Sequence, residues 1–495
     1  LACPLARLFV QQVAQRPIQV ALMTDFESVT FEDLHERSRY LAFYLMRARH
    51  RPLVALLVPS GEVGELCALF AVLLAGGSFV PIEPGLPTPR KIEILKDATP
   101  SVVITLPIDE EDRRYKHERS WRSALSPEVP VISISNSGHF QGGHQTQGSD
   151  NASNFMSNPP SNADDSEQSD GKEGRCGTIA GNCLPGGRTS DEEDRDLLYL
   201  MYTSGTTGKP KGVRGTRSGA LNRIRFAWNT FPFKPCGDIV ARRTPLSFVD
   251  SIAEVFSALL AGVPLYLPPQ RATADPTVLI PALSRSGATR LTLTPSLLSS
   301  MLRLTRITKK ELPPALHMWM VSGEALHVEL ALEFCQLAAP GSQLINLYGS
   351  TEVAGDATYC TLDDILGRNG ENLGMGIGAR WRRGSMIGRP IPGVSLMVVS
   401  RNSNLTPVPD GEQGELVVGG VGVALGYHCR PQETSEKFLF NNNVFSPDPH
   451  HILEDDSEFR SVPRGGRLFR TGDLVVRESD GLIYWLGRLD EEVSL

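Results

Sequence analysis

The residues best suited to chemistry lie in a glycine-rich stretch between Leu197 and Gly212. Its first part, 197–202, is an apolar run typical of a buried strand, and it ends at a loop of Thr, Ser, Gly and Lys. Glycines bring backbone N–H groups close to an oxyanion, and hydroxyl and ammonium groups add donors. We therefore predict an anion-binding site, with triphosphate as the expected ligand. Its candidate residues are Thr203, Ser204, Gly205, Thr206, Thr207, Gly208, Lys209 and Lys211.

This loop does not fit the pattern G-x-x-x-x-G-K-[ST] and so is not a Walker A motif. A solvated linker is the alternative interpretation of such a composition. Three later segments bear on the choice: N-L-Y-G-S-T-E at 346–352, F-R-T-G-D-L at 469–474 and G-R-L-D at 487–490. The first places a hydroxyl and a carboxylate after an apolar run, although alone it could be a turn with a helix cap. The last is a weak signal when taken alone.

Together and in this order, these segments resemble the adenylate-forming (AMP-binding) superfamily of acyl- and aryl-CoA ligases, luciferases and nonribosomal peptide synthetase adenylation domains. The resemblance implies that Thr351 contacts the α-phosphate of ATP, Glu352 binds Mg²⁺ and Asp473 accepts hydrogen bonds from the ribose. A lone carboxylate suits an Mg²⁺ ion that bridges phosphate oxygens. The implied catalytic residues are Thr203, Lys211, Thr351 and Glu352. Outside the loop, the implied ATP/AMP-binding residues are Gly323, Glu324, Asn346, Tyr348, Gly349, Ser350, Thr351, Asp473, Tyr484 and Arg488.

The reaction implied by the resemblance is attack of a carboxylate on the α-phosphate of ATP, which gives an acyl-adenylate and pyrophosphate. Such a transfer needs positioning and charge stabilisation more than covalent help from the protein. ATP and Mg²⁺ are the implied cofactors. Phosphopantetheine on a carrier protein domain, or coenzyme A, is the implied acceptor.

The segment F-V-D-S at 248–251 bears on the identity of the substrate. Adenylation domains for α-amino acids usually place an Asp directly after the Phe of this segment. Here the acid stands one position later, at Asp250. With L-N-R at 221–223 and the segment 348–356, this pattern resembles Ebony-type β-alanyl-amine synthetases and β-alanine-activating enzymes. The implied substrate is β-alanine or a similar small amino acid, whose ammonium pairs with Asp250 or Asp356. Asp250 as a helix cap is the alternative. The implied substrate-binding residues are Phe248, Asp250, Ser322 and Asp356.

The elements that must position these residues alternate between strand and helix, which predicts an α/β fold with parallel sheets covered by helices. We expect an adenylate-forming core in two α/β parts, at 1–135 and 196–393. Between them, 136–195 is rich in Ser, Asn, Gly and Asp and is predicted to be a disordered low-complexity insertion. Short β segments at 394–487 predict a smaller, β-barrel-like subdomain.

Residues 488–495 resemble a hinge stub with Asp490 as its pivot. The superfamily's small C-terminal lobe, which carries a lysine for the α-phosphate, is expected to be missing, so we expect slow adenylation by this chain alone. Arg217 also stands where relatives usually have His. Two competing interpretations remain: an acyl-CoA ligase, and a truncated isoform or fragment that only binds nucleotide.

Composition narrows the function classes further. The chain of 495 residues has a formal net charge of -7, which argues against nucleic acid as the main partner. Its eight cysteines show no C-x-x-C spacing, which indicates a reducing compartment, and we predict a cytoplasmic protein. The most apolar run, 66–75, is too short to span a bilayer. The partners expected are a small carboxylate or amino acid and a carrier domain.

Overall fold

The computed structural model describes residues 3–106, 118–144, 196–204, 209–234, 237–366, 384–401, 405–441 and 466–490. Within these ranges the chain forms a mixed α/β fold, as the alternating pattern predicts. No helix in the described ranges is both long and apolar enough to cross a membrane. The loop tip at 205–208 and most of the predicted insertion, 145–195, lie outside these ranges.

The amino-terminal part forms helices α1 to α4 and strands β1 to β7. Local signals set several boundaries: Pro4 opens α1, and Thr30 and Asp33 form a reciprocal capping box at the start of α2. The elements are α1 (Pro4–Gln15), β1 (Val20–Met23), β2 (Ser28–Thr30), α2 (Phe31–Ala48), β3 (Leu53–Leu57), α3 (Val63–Leu74), β4 (Ser78–Pro81), α4 (Thr88–Ala98), β5 (Val102–Thr105), β6 (Val131–Ile134) and β7 (Phe140–His144).

The middle part continues the alternation with β8 (Leu197–Ser204), β9 (Pro210–Thr216), α5 (Arg217–Thr230), β10 (Val240–Ala241), α6 (Asp250–Leu259), β11 (Leu265–Tyr266), α7 (Pro276–Ser286), β12 (Arg290–Leu293), α8 (Pro295–Thr308), β13 (Met318–Val321) and α9 (Val328–Leu337). The carboxyl-terminal part contains β14 (Gln343–Ser350), β15 (Gly355–Thr361), α10 (Leu362–Leu366), β16 (Ser385–Pro390), β17 (Val394–Val399), β18 (Gln413–Gly420), α11 (Pro431–Lys437), β19 (Phe438–Phe440), β20 (Arg467–Arg477) and β21 (Ile483–Arg488).

Two sheets organise the described residues. The smaller has the order β7-β6-β5-β3-β4-β8-β9, and its last pair is an antiparallel hairpin that brackets the glycine-rich loop. The larger has the order β17-β18-β20-β21-β16-β15-β14-β13-β12-β10-β11-β1-β2, and β19 pairs with β20. Strands β10 to β14 are parallel and pack against helices, whereas β14 onward pairs antiparallel. The β-rich region is thus the antiparallel end of the larger sheet.

The amino end of the predicted insertion belongs to the smaller sheet. Strand β7 pairs antiparallel with β6, with Val131 opposite His144, so strand pairing continues to residue 144. The sequence did not predict this hairpin, because its polar and glycine-rich composition is also that of a loop. Backbone pairing of β7 with β6 extends the sheet here.

Helix α3 lies at the centre of the fold. Its residues from Val63 to Leu73 are all buried, including the carboxylate of Glu65. Glu65 pairs with Arg242 at 2.5 Å, and both side chains are almost fully buried. A buried charge is tolerated only when it is paired and hydrogen-bonded, so this ion pair fixes α3 against the chain next to β10.

Candidate active site

The first group of candidate residues lies where β14 enters the antiparallel end of the larger sheet. Tyr348 on β14 donates its hydroxyl proton to Asp473 on β20, and Arg488 at the end of β21 lies 3.3 Å from the same carboxylate. We call these three residues the Tyr348 cluster. Burial, together with the nearby Asp473 carboxylate, raises the pKa of Tyr348 well above its ordinary value, so its hydroxyl stays a donor.

Two glycines permit this arrangement. A Cβ atom on Gly349 would lie 1.7 Å from the carbonyl oxygen of Gly355, so only glycine allows β14 and β15 to approach this closely. Gly472, directly before Asp473, has a φ of 77°, in the left-handed region that favours glycine. The motifs Y-G-S-T-E and R-T-G-D therefore have a backbone reason for their glycines.

Glu352 occupies the turn between β14 and β15. Its Oε1 accepts a hydrogen bond of 3.0 Å from the hydroxyl of Tyr427. In the part of the chain that the structure describes, its second carboxylate oxygen has no hydrogen bond, so it can accept a cation. A single carboxylate oxygen suits Mg²⁺, which keeps several waters and also binds substrate phosphates. The residues present therefore fit the Mg²⁺ ion that the sequence predicts.

Ser350, Thr351 and Asn346 accompany these side chains on β14 and its turn. The Oγ of Ser350 and the Oδ1 of Asn346 are buried and, among the described residues, have no hydrogen-bond partner. The Nδ2 of Asn346 donates to the carbonyl of Met386 at 2.7 Å, which fixes the amide. Buried polar atoms are normally satisfied, so these two oxygens mark a place where a ligand or water can donate.

The hairpin of β8 and β9 carries the described part of the predicted anion loop. Thr203 on β8 faces Lys211 on β9, and the Thr203 hydroxyl lies 3.5 Å from the Lys211 carbonyl. Lys209 is exposed. The side chain of Ser204 and all of Gly205, Thr206, Thr207 and Gly208 lie outside the described residues, so their predicted roles stay predictions.

A second group lies at the amino end of α6. Arg223 on α5 donates to the Oδ2 of Asp356 on β15, and both side chains are buried. Asp250 is half-buried, and its Oδ1 lies 3.7 Å from where a Cβ on Gly355 would stand. Ser322, directly after β13, lies close enough to lower the pKa of Asp250. We call Asp250, Asp356, Arg223 and Ser322 the acid cluster.

The acid cluster contains two carboxylates and one guanidinium. Burial and then the neighbouring Asp356 raise the pKa of Asp250 to about 7, against the opposing effect of Arg223. The Oδ1 of Asp356 is buried and has no hydrogen-bond partner among the described residues. One further cation would neutralise this site.

Asp250 is not the N-cap residue of α6. The helix begins at Asp250 itself, the preceding Val249 is the cap residue, and no side chain caps the helix end. Asp250 therefore does not cap the helix through a side-chain hydrogen bond, but its carboxylate lies in the first turn, where it interacts favourably with the helix dipole. Phe248, two residues earlier, is 62% exposed, which is unusual for a large apolar side chain.

The remaining candidates lie at the edges of the site. Glu324 accepts hydrogen bonds from the backbone N and the hydroxyl of Ser296 at 2.9 and 2.8 Å, and so stabilises the start of α8. The adjacent Gly323 is exposed, with a φ of 86°. Tyr484 on β21 is 1% exposed within the apolar core. Its position there gives it a packing role, and its nucleotide contact stays a prediction.

Two further residues that the sequence singles out are Asp490, the predicted hinge residue, and Arg217. Asp490 accepts two hydrogen bonds from Arg488, at 3.0 and 3.2 Å. Arg217 donates to the carbonyls of Gly76 and Gly77 at 3.0 and 2.7 Å, and it is buried at the junction of α5 with the turn before β4. The residue that replaces the usual His therefore contacts the protein backbone.

Comparison with known proteins identifies the family to which this site belongs. The model of the family described as "AMP-binding enzyme" matches residues 9–428. The chain belongs to this family. The predicted superfamily and the prediction of an adenylate-forming enzyme are thereby confirmed.

Relatives among characterised proteins are nonribosomal peptide synthetases. The chain is 31% identical to phosphinothricin tripeptide synthetase PhsB of Streptomyces viridochromogenes, over 99% of this chain and 34% of that protein. It is 28% identical to the β-alanyl-bioamine nonribosomal peptide synthetase ebony of Drosophila melanogaster, over 99% of this chain and 50% of that protein. The chain thus spans about a third to a half of the length of these two relatives.

Solved structures support the same fold. The nonribosomal peptide synthetase FmoA3 in its AMPPNP-bound form matches with a TM-score of 0.69 and 22% identity, over 98% of this chain and 43% of that one. The predicted adenylate-forming core is therefore confirmed as the fold.

Arg223, Tyr427 and Glu433 contact the candidate residues, but the sequence reasoning did not assign them to the site. Arg223 belongs to the segment L-N-R at 221–223, and Tyr427 ends the segment G-V-A-L-G-Y at 422–427, neither of which predicts a site role for these two side chains. Nothing in their spacing predicts their partners, because Arg223 and Asp356 are 133 positions apart. Glu433 lies on the short helix α11 without any motif that marks it.

Proposed function

We propose that this chain activates a small amino acid, with β-alanine as the best candidate, by forming its acyl-adenylate from ATP with release of pyrophosphate. The acid cluster carries this proposal, because its excess carboxylate is buried and suits an ammonium group. The printed name of the ebony relative, a β-alanyl-bioamine synthetase, supports the choice of amino acid.

The nucleotide is proposed to bind at the Tyr348 cluster. A carboxylate can accept from both hydroxyls of a ribose, so Asp473 holds the sugar while Arg488 fixes the carboxylate. Thr351, Thr203 and Lys211 are proposed to contact the phosphates. Mg²⁺, held by Glu352, would neutralise phosphate charge when bound. The chain's own part is to orient the carboxylate of the substrate for attack on the α-phosphate.

In the acid cluster, Asp250 and Asp356 are proposed to share the ammonium of the amino acid. Arg223 holds the Oδ2 of Asp356, which leaves the unpartnered Oδ1 available to the ligand. The exposed ring of Phe248, two residues before Asp250, is proposed to cover the short carbon chain. Transfer of the activated group to the phosphopantetheine thiol of a carrier domain, and then to an amine, completes the proposal.

The experiment is pyrophosphate exchange with β-alanine and, as a matched control, propionate, which is β-alanine without its amino group. We expect exchange with β-alanine that greatly exceeds exchange with propionate. Asp250→Asn should raise the KM for β-alanine by at least about tenfold, since a buried charge pair loses one partner. It should leave the weak reaction with propionate unchanged. Equal use of both acids by the native protein would contradict the ammonium site.

A further inference from the structure

The flanks of the anion loop are joined by a chain of charged and hydrogen-bonded side chains that extends beyond the residues used by the proposed function. On the β8 side, Tyr202 donates to the Oδ2 of Asp97 on α4 at 2.8 Å. The other oxygen of Asp97 lies 3.2 Å from Arg430, directly before α11. This side of the hairpin is therefore anchored to α4 and α11.

On the β9 side, the ammonium of Lys211 lies 2.5 Å from the Oε2 of Glu433 on α11. Arg430 lies 3.7 Å from the other oxygen of the same carboxylate. The Lys211 ammonium is also 5.7 Å from the ring centre of Tyr427, whose hydroxyl donates to Glu352. Lys211 is thus fixed between an anion and an aromatic face.

The strand register places the two anchored residues close together on the hairpin. Thr203 pairs with Lys211 and Tyr202 pairs with Gly212, so the two anchored residues, Tyr202 and Lys211, belong to successive pairs on the two legs of the hairpin. A lysine side chain is a flexible four-carbon stem with a point charge, and it loses considerable entropy when it is held in one geometry. Glu433 holds it before any phosphate arrives.

We propose that Glu433 is a positioning residue for Lys211, one that holds the ammonium in the ligand-free state and exchanges it with the phosphates of ATP. This inference rests on the proposed function of Lys211 in phosphate binding. The contact has two opposite consequences. It competes with the triphosphate for the lysine and so weakens ATP binding, but it orients the lysine and so favours the chemical step.

The test is the variant Glu433→Gln, which keeps the size of the side chain and removes its charge. We expect the KM for ATP to fall by about two- to fivefold, the range of a partly exposed ion pair. We expect kcat to fall by about tenfold, because a misplaced catalytic group costs rate. A merely structural role would instead raise KM and lower the melting temperature. Glu436→Gln, on the same helix and exposed, is the matched control and should change neither constant.

A second variant and a direct binding measurement keep the outcomes distinct. Glu433→Asp retains the charge on a shorter stem and should recover most of the native KM while kcat stays low. Calorimetric titration with ATP alone should show tighter binding by Glu433→Gln than by the native protein. Equal ATP affinity and equal kcat in both proteins would overturn the role of Glu433. Failure of the native protein to bind ATP at all would overturn the proposed function instead.

Discussion

The Tyr348 cluster and the acid cluster both hold charged side chains, but they differ in burial. In the Tyr348 cluster, the side chain of Arg488 is 34% exposed, and its ion pair with Asp473 lies near water. In the acid cluster, the side chains of Arg223 and Asp356 are 6% and 2% exposed. Water can replace a lost partner in the first cluster and cannot do so in the second. The same chemistry therefore makes one region tolerant of substitution and the other sensitive to it.

The largest effect is expected from Arg223→Leu. This change leaves the buried Asp356 carboxylate without its ion-pair partner, which costs about 3–5 kcal/mol in comparable buried pairs. Denaturant unfolding should show this loss in the free energy of unfolding. The matched control is Arg285→Leu, which breaks the exposed ion pair with Asp25 and should cost at most about 1 kcal/mol. Equal losses of unfolding free energy in Arg223→Leu and Arg285→Leu would show that burial does not make the acid cluster more sensitive.

The second effect is a pH dependence that comes from Asp250. Its pKa is raised from 3.8 to about 7 in the folded protein, so the folded state holds this proton more tightly than the unfolded state. Ionisation of Asp250 therefore does not change the free energy of unfolding below about pH 4. As the pH rises from about 4 to about 7, it lowers this free energy progressively. The Asp250→Asn variant lacks this loss. The difference in unfolding free energy between variant and native protein should grow in favour of the variant from pH 4 to 7, by at most about 4 kcal/mol.

The third effect concerns the Tyr348 cluster, where Asp473→Asn should act on binding more than on stability. The carboxylate is proposed to accept from the ribose hydroxyls, and a hydrogen bond to a charged group contributes about 1.5–3 kcal/mol. The dissociation constant of ATP, measured by calorimetry, should rise by about 10- to 100-fold. The free energy of unfolding should change less than in Arg223→Leu. An unchanged affinity would remove Asp473 from the nucleotide site.

The smallest effect is expected from Asp490→Asn. The carboxylate binds Arg488 close to the surface, and its side chain is 51% exposed. Exposed ion pairs contribute about 0–1 kcal/mol, so the melting temperature should change little. A large destabilisation would show that the predicted hinge residue is instead a structural anchor of β21.

The sequence predicts the fold better than the site because periodicity reports local structure. Runs such as 197–202 and the alternation of strands with helices are visible in the chain, and the structure places β8 there. The glycines of Y-G-S-T-E and R-T-G-D can also be recognised in the sequence as positions with a special backbone geometry, since that geometry requires glycine. Pairings across the fold are different, because Arg223 with Asp356 and Lys211 with Glu433 depend on how α5, β15 and α11 pack. No spacing in the sequence encodes these contacts.

The hairpin of β14 and β15 connects the proposed nucleotide site with the proposed amino-acid site. It carries Tyr348 on one strand and Asp356 on the other, and Gly349, next to Tyr348, pairs with Asp356. A displacement of this hairpin moves both side chains together. Occupation of either end should therefore favour occupation of the other, and by thermodynamic linkage ATP and the amino acid should raise each other's affinity by the same factor.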